Sequence, residues 1–166
     1  MHPLHQVVIV GAGPVGLFLS IELAAAGVPA LVLERLPEPD LTIKAASVGV
    51  VGWEALQRRG LGPALQAEHE AFLAVMMPGL VARFGAKGMK KPGGHFSGLF
   101  LVDQELQRDP ERHMRPIPQE ALEKILNARA LELGIEVRRG VTVHGFTQDE
   151  TAVTMETSAG PLCAKY

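Results

Sequence analysis

The amino-acid sequence predicts an α/β fold in which helices cover a buried parallel sheet. Of the 166 residues, 47% are hydrophobic and only 20% are charged, a balance that favours strands buried on both faces. A second indication is the apolar segment Val7 to Arg35, "VVIVGAGPVGLFLSIELAAAGVPALVLER", in which glycines separate two short strand-like runs from a helical one. The length predicts one domain with a core large enough to fold unaided.

The same apolar segment is too interrupted to form a membrane span. A spanning helix needs about 20 apolar residues, but four glycines and two prolines fall within this segment and Glu22 lies in its middle. A charge at that depth costs roughly 2.5–3.5 kcal/mol on insertion scales. Met1 to Gln6 contains no Lys or Arg, so the basic start of a secretory signal is also missing.

A strand–turn–helix–strand unit accounts for every interruption. The run "QVVIV" predicts a buried strand, and "ALVLE" predicts a second one. Between them, Gly11 permits the turn, Gly13 allows the backbone to approach a pyrophosphate, and Gly16 allows helix and strand to pack closely. Pro14 suits the first turn of the helix because its missing N–H costs nothing there, and Gly27 ends the helix.

This unit has the features of a dinucleotide-binding turn. Gly11, Gly13 and Gly16 have the spacing G-x-G-x-x-G, and the free N–H groups at a helix start attract an anion. Glu34 lies 23 residues beyond Gly11 (34 − 11), close to the position from which a carboxylate binds a ribose hydroxyl. The sequence therefore predicts a Rossmann-like nucleotide site, with a glycine-rich turn that binds nothing as the alternative.

After Glu34 the sequence departs from an ordinary doubly wound fold. The connection "RLPEPDLTIKAAS" is broken by prolines and is unsuited to a long helix. Two helices are predicted next, one ended by Gly60 and one beginning near Pro63. Residues 71–117 mix short apolar pieces with glycine-rich ones, and "LFLVD" predicts another strand there.

The last part of the chain returns to regular patterns. A helix is predicted from Pro118 to Leu133, with Gly134 as its stop. "IEVRR" predicts a strand, and the remaining residues predict an antiparallel meander with turns near Asp149 and Gly160. This helix–strand pair begins 84 residues after Glu34 (118 − 34). Either a second domain is inserted or one sheet is visited twice, and we favour the second interpretation.

Four segments, in order along the chain, are similar to the FAD-dependent aromatic hydroxylases: "VVIVGAGPVGLFLSIELAAAGVPALVLER", "KAASVGVVGWEALQRRGL", "RPIPQEALEKIL" and "GIEVRRGVTV". These enzymes are single-component flavin monooxygenases related to phenol and para-hydroxybenzoate hydroxylase, and they include polyketide- and antibiotic-modifying members. The resemblance covers essentially the whole chain. The first segment is shared with many FAD and NAD proteins. The motif "IPQ" that opens a helix and the block "RRGL" are more discriminating together than singly.

The resemblance implies a Rossmann-like FAD-binding fold of the para-hydroxybenzoate hydroxylase type. Residues 1–75 would form the first part of the FAD-binding domain, 76–117 a β-rich insertion on the substrate side, and 118–166 the return helix, strand and β-meander. The family has two later motifs, an Asp-Gly pair and a Gly-Asp pair, beyond the equivalent of Tyr166. We therefore expect the N-terminal part of such an enzyme, with the C-terminal part of the family fold absent.

The resemblance also assigns cofactor contacts in the glycine turn. Gly11, Gly13 and Gly16 would frame the FAD pyrophosphate, together with Pro14 and Val15 of the same turn.

Four further positions are assigned in the same way. Glu34 would hold the adenosine ribose, and Arg35 would flank the same end of the cofactor. Lys44 stands where the family usually has an arginine that reaches the flavin side, which keeps the charge but loses the planar fork; a solvated surface lysine is the alternative. Gln119 would lie against the ribityl chain, with an exposed helix-start glutamine as the alternative. Val51 replaces a second family arginine.

The reaction implied by the resemblance belongs to the cofactor. NAD(P)H reduces FAD, the reduced flavin adds oxygen at its C4a position, and the hydroperoxide hydroxylates an aromatic or polyketide-like substrate. The sequence contains no recognisable nucleophile triad or metal-ligand cluster, and it names no catalytic residue. One alternative is a non-catalytic FAD- or ADP-binding module, or half of a split enzyme. Another is an NAD-dependent dehydrogenase, against which the 84-residue gap argues.

Composition limits the partners. The net charge of −2 predicts no bulk attraction to nucleic acid or to an anionic membrane. The expected partners are a small aromatic substrate and either a complementary C-terminal chain or further copies of this one. The single cysteine, Cys163, excludes an internal disulfide framework and fits a reducing compartment, the cytoplasm.

Overall fold

The computed structural model of this chain describes residues 4–40, 42, 45–84, 94–96, 99–102, 108–109 and 112–166. The chain forms two compact units, one consisting of Met1–Thr42 and Glu120–Tyr166 and the other of Ile43–Gln119. The described elements are, in chain order, β1 (Leu4–His5), β2 (Val7–Val10), α1 (Pro14–Ala25), β3 (Ala30–Glu34), β4 (Ser47–Val48), α2 (Val50–Arg58), α3 (Gly62–Phe84), β5 (Gly94–Phe96), β6 (Leu99–Val102), β7 (Arg115–Pro116), α4 (Gln119–Glu132), β8 (Glu136–Arg139), β9 (Val143–Gln148), β10 (Val153–Thr157) and β11 (Gly160–Ala164).

The first unit contains a three-stranded parallel sheet with the order β2-β3-β8. The three runs predicted as strands, "QVVIV", "ALVLE" and "IEVRR", all lie in it. Val7 lies opposite Ala30, and Glu34 at the end of β3 lies opposite Arg139 of β8. Because β8 joins this sheet only after the whole second unit, one sheet is visited twice, as predicted. A compact unit also lies between the two visits in the chain, so the two interpretations are not exclusive.

The core of this unit is centred on β3. Leu31, Val32 and Leu33 are almost fully buried, as expected for a central strand covered on both faces. Leu31 and Leu33 pack against buried residues of β10 and β11, and α1 packs against β2 and β3. Strand alternation places Val32 on the face opposite Leu31 and Leu33. The apolar composition of "ALVLE" is therefore explained by burial on both sides.

The predicted meander forms a second sheet in this unit, with the order β1-β11-β10-β9. β9, β10 and β11 are antiparallel, and β1 joins β11 in parallel. The turns lie where the sequence placed them, since β9 ends at Gln148 and β11 begins at Gly160.

The second unit contains α2, α3 and two small two-stranded ladders, β4-β7 and β5-β6. α2 ends at Arg58, near the predicted stop at Gly60, and α3 begins at Gly62, next to the predicted start at Pro63. α3 continues to Phe84 with Pro78 inside it. The β-rich insertion expected from residue 76 therefore starts with the last turns of a helix. The division of the chain at residues 76 and 118 stays a prediction. Within the described ranges, no helix combines the length and the apolar content needed to cross a membrane.

Candidate nucleotide cofactor site

The turn between β2 and α1 is tied to the sheet by its first glycine. Gly11 has a φ of +109°, a conformation that residues with a Cβ rarely adopt. Its N–H donates a hydrogen bond of 2.7 Å to the carbonyl oxygen of Leu33, so the turn starts beside the carboxyl end of β3. Open α/β sheets bind their ligands at the carboxyl ends of the strands. The turn is therefore in the position that a nucleotide site requires.

Gly16 is needed for packing. A Cβ at this position would overlap the carbonyl oxygen of Gly11 and would come within 3.2 Å of Cγ2 of Ile9. The Gly11 oxygen belongs to the backbone, so it cannot move aside as a flexible side chain would. A larger residue at position 16 would therefore push α1 away from β2. The close packing predicted for this glycine is confirmed, while its contact with a cofactor stays a prediction.

Gly13 differs from both of these glycines, because no contact among the described residues requires a glycine there. It caps α1 with φ −75° and ψ −179°, an extended conformation open to any residue. A Cβ built on Gly13 meets no atom of the residues that the structure describes within 4 Å. The space beside it is open, which fits the predicted approach of a pyrophosphate to the bare backbone.

The start of α1 offers N–H groups to that open space. The first intrahelical bond runs from the N–H of Leu17 to the carbonyl oxygen of Gly13, at 3.0 Å. The N–H groups of Gly13, Val15 and Gly16 therefore lie at the open end of the helix, and Pro14 has none to lose. These groups and the helix dipole favour an anion by about 0.3–1 kcal/mol, or ~2 kcal/mol where the site is partly buried. The turn is thus suited to a phosphate group.

Glu34 is connected to the same turn by hydrogen bonds. Its Oε2 accepts a bond of 2.8 Å from the N–H of Ala12, and its Oε1 accepts one of 2.9 Å from the N–H of Leu36. Each carboxylate oxygen has a second lone pair, so the group retains acceptor capacity for a ribose hydroxyl. The two backbone bonds fix the carboxylate beside the glycine turn before any ligand binds.

The surroundings of Glu34 keep it ionised. Burial is the largest single influence and raises its pKa, but it is outweighed by the N–H groups of Leu36 and Ala12 and by the positive charges of Arg139 and Arg35, so the pKa is lowered from its ordinary value of 4.5. An ionised carboxylate only accepts hydrogen bonds, which is the chemistry needed to bind a hydroxyl group.

The two arginines near Glu34 have different origins. Arg35 is exposed and follows Glu34 in the chain, as expected. Arg139 was not singled out from the sequence, and it lies here because β8 pairs with β3 in the register that sets it opposite Glu34. The only signal for it was the basic end of the strand-like run "IEVRR".

The remaining two candidate residues belong to the second unit. Lys44 lies outside the described residues. Gln119 begins α4, and its N–H donates to the carbonyl oxygen of Ala45 at 3.2 Å. The N–H of Ile117 donates to Ala46 at 3.0 Å, and β7 continues this antiparallel pairing with β4. The predicted glutamine is therefore held against the backbone that directly follows Lys44, a neighbour relation that the sequence did not predict.

The first unit therefore contains an anion-binding turn and an ionised carboxylate that can accept a hydrogen bond from a hydroxyl group. The structure brings together Gly11, Gly13, Pro14, Val15, Gly16, Glu34 and Arg35. This combination of groups suits the pyrophosphate and ribose of an adenine dinucleotide.

Comparison with known proteins extends this assignment. Residues 5–160 match the family model described as "FAD binding domain". The chain is 40% identical over 159 residues to the 12-dehydrotetracycline 5-monooxygenase/anhydrotetracycline 6-monooxygenase of Streptomyces rimosus, an alignment that covers 95% of this chain and 27% of that protein. It is 33% identical over 165 residues to the rifampicin monooxygenase of Streptomyces venezuelae, covering 98% of this chain and 31% of that enzyme.

Solved structures give the same result. The anhydrotetracycline hydroxylase OxyS from Streptomyces rimosus superposes with a TM-score of 0.73 at 37% identity, covering 98% of this chain and 30% of that one. The flavin-dependent monooxygenase PieE, solved in complex with FAD and substrate, superposes with a TM-score of 0.70 over 99% of this chain and 29% of its own, at 20% identity, which shows the fold alone. The chain thus spans less than a third of the length of these relatives.

Proposed function

The chain belongs to the FAD-binding domain family, and from this premise we propose that it forms the N-terminal, FAD-binding portion of an NAD(P)H-dependent flavin monooxygenase that hydroxylates an aromatic or polyketide-like substrate. The observation that carries the proposal is the open space beside Gly13, at the end of a helix whose first N–H groups have no intrahelical acceptor. The lack of a neighbouring atom within 4 Å of a Cβ built at Gly13, among the residues that the structure describes, supports the approach of a pyrophosphate to this backbone.

Each part of the turn has a role in this proposal. Gly11 and Gly16 shape the turn, and the N–H groups of Gly13 and Val15 donate to the pyrophosphate, which the absence of a Cβ at Gly13 leaves accessible. Pro14 sets the first turn of the helix at no cost in hydrogen bonds.

The adenosine side follows from Glu34. Its carboxylate is already oriented by Ala12 and Leu36, so it accepts a ribose hydroxyl without first losing side-chain freedom. Arg35, exposed beside it, would flank the adenosine.

We assign the flavin side to Gln119 and Lys44. Gln119 would direct its amide towards the ribityl chain from the start of α4, where a helix N-terminus also favours acceptor groups. Its backbone bond to Ala45 supports assigning Gln119 and the segment of Lys44 to one subsite. Bound FAD would supply the redox chemistry of the enzyme, and these residues would hold and orient it.

The complete activity needs more chain than these 166 residues. The alignments cover only 27% and 31% of the full length of these relatives. We therefore propose that the substrate pocket and the NAD(P)H site are built largely by further sequence, in the same polypeptide, in a complementary C-terminal chain or in a further copy of this one. We also propose a cytoplasmic location, which the single cysteine, Cys163, supports.

Because the chain spans so little of its relatives, a module that binds FAD or ADP without turnover is the second candidate. An NAD-dependent dehydrogenase is disfavoured by the family match. Titration of the purified chain with FAD, ADP and NAD⁺ separates the dehydrogenase from the two FAD-binding candidates. Substrate-stimulated NADPH oxidation after a complementary C-terminal chain is supplied separates the monooxygenase from a module without turnover. We expect FAD to bind more tightly than ADP, and ADP to compete with it. A preference for NAD⁺ over FAD would support the dehydrogenase, and no binding of FAD or ADP at millimolar concentration would refute the proposal.

A further inference from the structure

A buried histidine in the second unit is not used by the proposed cofactor chemistry. His69 of α3 is only 5% exposed, which is unusual for a side chain with two polar nitrogens. Its Nδ1 lies 2.6 Å from the carbonyl oxygen of Pro116 in β7. A carbonyl oxygen only accepts hydrogen bonds, so Nδ1 carries the hydrogen and His69 is the donor.

The strand that receives this bond is poor in hydrogen-bond donors. In "RPIPQ", residues 115–119, two of the five residues are prolines without an N–H. The backbone of this segment pairs with β4 and with Ala45 and Ala46 through the few donors that remain, those of Ile117 and Gln119 among them. A side-chain bond to Pro116 therefore restrains the segment where its own ladder is weakest.

The rings around His69 fix its position. Trp53 of α2 is 4% exposed and meets the imidazole edge to face, with ring centroids 5.9 Å apart and an interplanar angle of 69°. The guanidinium of Arg115, in β7, lies over the same Trp53 ring at 5.3 Å and also donates to Gln66 of α3 at 3.4 Å. β7 is thus held to α2 and α3 by two consecutive residues, Arg115 and Pro116.

We propose that His69 is a positioning residue for the flavin side of the cofactor site. By donating to Pro116, three residues before Gln119, it fixes the backbone from which Gln119 extends and, through the β4–β7 pairing, the segment that follows Lys44. The inference rests on the proposed role of Gln119 in binding FAD. His69 acts through the backbone and does not touch the cofactor.

The binding of two ligands separates this role from a merely structural one. ADP contains only the half of FAD assigned to the glycine turn, whereas FAD also includes the ribityl chain and the flavin. A positioning residue for Gln119 should therefore change the affinity for FAD and leave the affinity for ADP unchanged. General destabilisation of the fold would lower the affinity for both ligands together.

The test compares variants of the 166-residue chain by titration with FAD and with ADP. His69→Phe keeps a ring against Trp53 but loses the donor, and we expect a roughly threefold to tenfold loss of FAD affinity, the range expected for one neutral hydrogen bond, with ADP binding unchanged. His69→Asn retains an amide N–H close to the position of Nδ1 and should restore most of the FAD affinity. Trp53 is the only tryptophan of the chain, so its emission maximum reports whether the ring cluster stays packed.

Each outcome decides the question. A His69→Phe chain that is folded and keeps the wild-type ratio of FAD to ADP affinity overturns the inference, as does a Gln119→Ala chain that keeps this ratio. If the wild type binds ADP and FAD with equal affinity, the inference is wrong, while the proposed binding of the ADP half of FAD at the glycine turn stands. If the wild type binds neither ligand, the proposed function itself fails. Should His69→Phe not fold, His69→Leu, which also lacks the donor, takes its place under the same criterion: a folded His69→Leu chain with the wild-type ratio of FAD to ADP affinity overturns the inference, and a selective loss of FAD affinity that His69→Asn restores supports it.

Discussion

Replacing Gly13 by alanine should separate cofactor binding from folding. Within the described part of the chain, the new Cβ meets no atom within 4 Å, and the backbone at this position is extended, with φ −75° and ψ −179°. The methyl group therefore strains nothing in the chain itself. It does occupy the space that we assign to the pyrophosphate, so its effect should appear only when a ligand binds.

The expected magnitudes follow from opposing contributions. Alanine caps a helix less well than glycine, at a cost of up to about 1 kcal/mol, but it also restricts the unfolded chain, which contributes about 0.4–1 kcal/mol of stability. The free energy of unfolding should therefore change by less than about 1 kcal/mol. Loss of one charge-assisted hydrogen bond to the pyrophosphate costs about 1.5–3 kcal/mol, which weakens FAD binding roughly 10- to 150-fold.

The assay pairs a binding measurement with a thermal melt. FAD and ADP affinities are measured by calorimetric titration, and unfolding is followed by circular dichroism. Gly145→Ala is the matched control, because it also adds a methyl group to a glycine of the same unit that has no atom of the described residues within 4 Å, and it should leave binding unchanged. Gly13→Val, with a branched side chain in the same space, should abolish measurable binding of both ligands while the chain stays folded.

Gly16→Ala provides the opposite case. Its Cβ would overlap the backbone oxygen of Gly11, so the melting temperature itself should fall. A Gly13→Ala chain that is folded and binds FAD with the wild-type dissociation constant would refute the assignment of the turn. A Gly16→Ala chain with unchanged stability would show that the packing argument for that glycine is wrong.

Three further predictions concern Glu34 and the completeness of the enzyme. Glu34→Ala should weaken FAD binding by about 1–3 kcal/mol through loss of a hydrogen bond to a charged group. An unchanged dissociation constant for FAD would count against the ribose assignment. The folded-state pKa of Glu34 lies below its ordinary value of 4.5, so its contribution to stability is present above that value and is lost as the pH falls through the folded pKa. Between pH 6 and pH 3 the melting temperature of the wild type should therefore fall more than that of Glu34→Gln. Parallel curves of melting temperature against pH for the two proteins would contradict this. The chain alone should associate or aggregate, bind FAD weakly and show no NADPH-driven hydroxylation, because it spans under a third of the length of its relatives. A monomer that binds FAD tightly and oxidises NADPH with a phenolic substrate would disprove this.

The features predicted from the sequence are those set by neighbours in the chain. β2, the glycine turn, α1 and β3 follow one another within 35 residues, and each has a local cause such as an apolar run, a positive φ or a helix start. The meander was predictable for the same reason, since its hairpins join adjacent strands. The resemblance to flavin hydroxylases extended this reading to a cofactor, which local patterns alone do not identify.

The features that were missed depend on contacts between distant parts of the chain. Arg139 lies near Glu34 only because β8 pairs with β3, and His69 reaches Pro116 across 47 positions of sequence. The sequence predicted where α3 begins but not where it ends; a proline inside a helix costs about 3 kcal/mol, yet α3 contains Pro78 and continues to Phe84. The alanine, leucine and methionine residues before Pro78 are strong helix formers, and they favour the observed length.

Glu34 shows why a residue can be predicted correctly and its mutation still be misread. The sequence assigns it to the ribose by spacing alone, yet its two oxygens also accept the N–H groups of Ala12 and Leu36. Removing the carboxylate therefore takes away a ligand contact and also loosens the turn that binds the pyrophosphate. Measuring the affinity of Glu34→Ala and of the wild type for FAD, ADP and inorganic pyrophosphate separates the two effects, because pyrophosphate has no ribose. If pyrophosphate binding weakens as well, the carboxylate organises the turn in addition to binding the sugar; if only FAD and ADP weaken, its contribution is confined to the ribose.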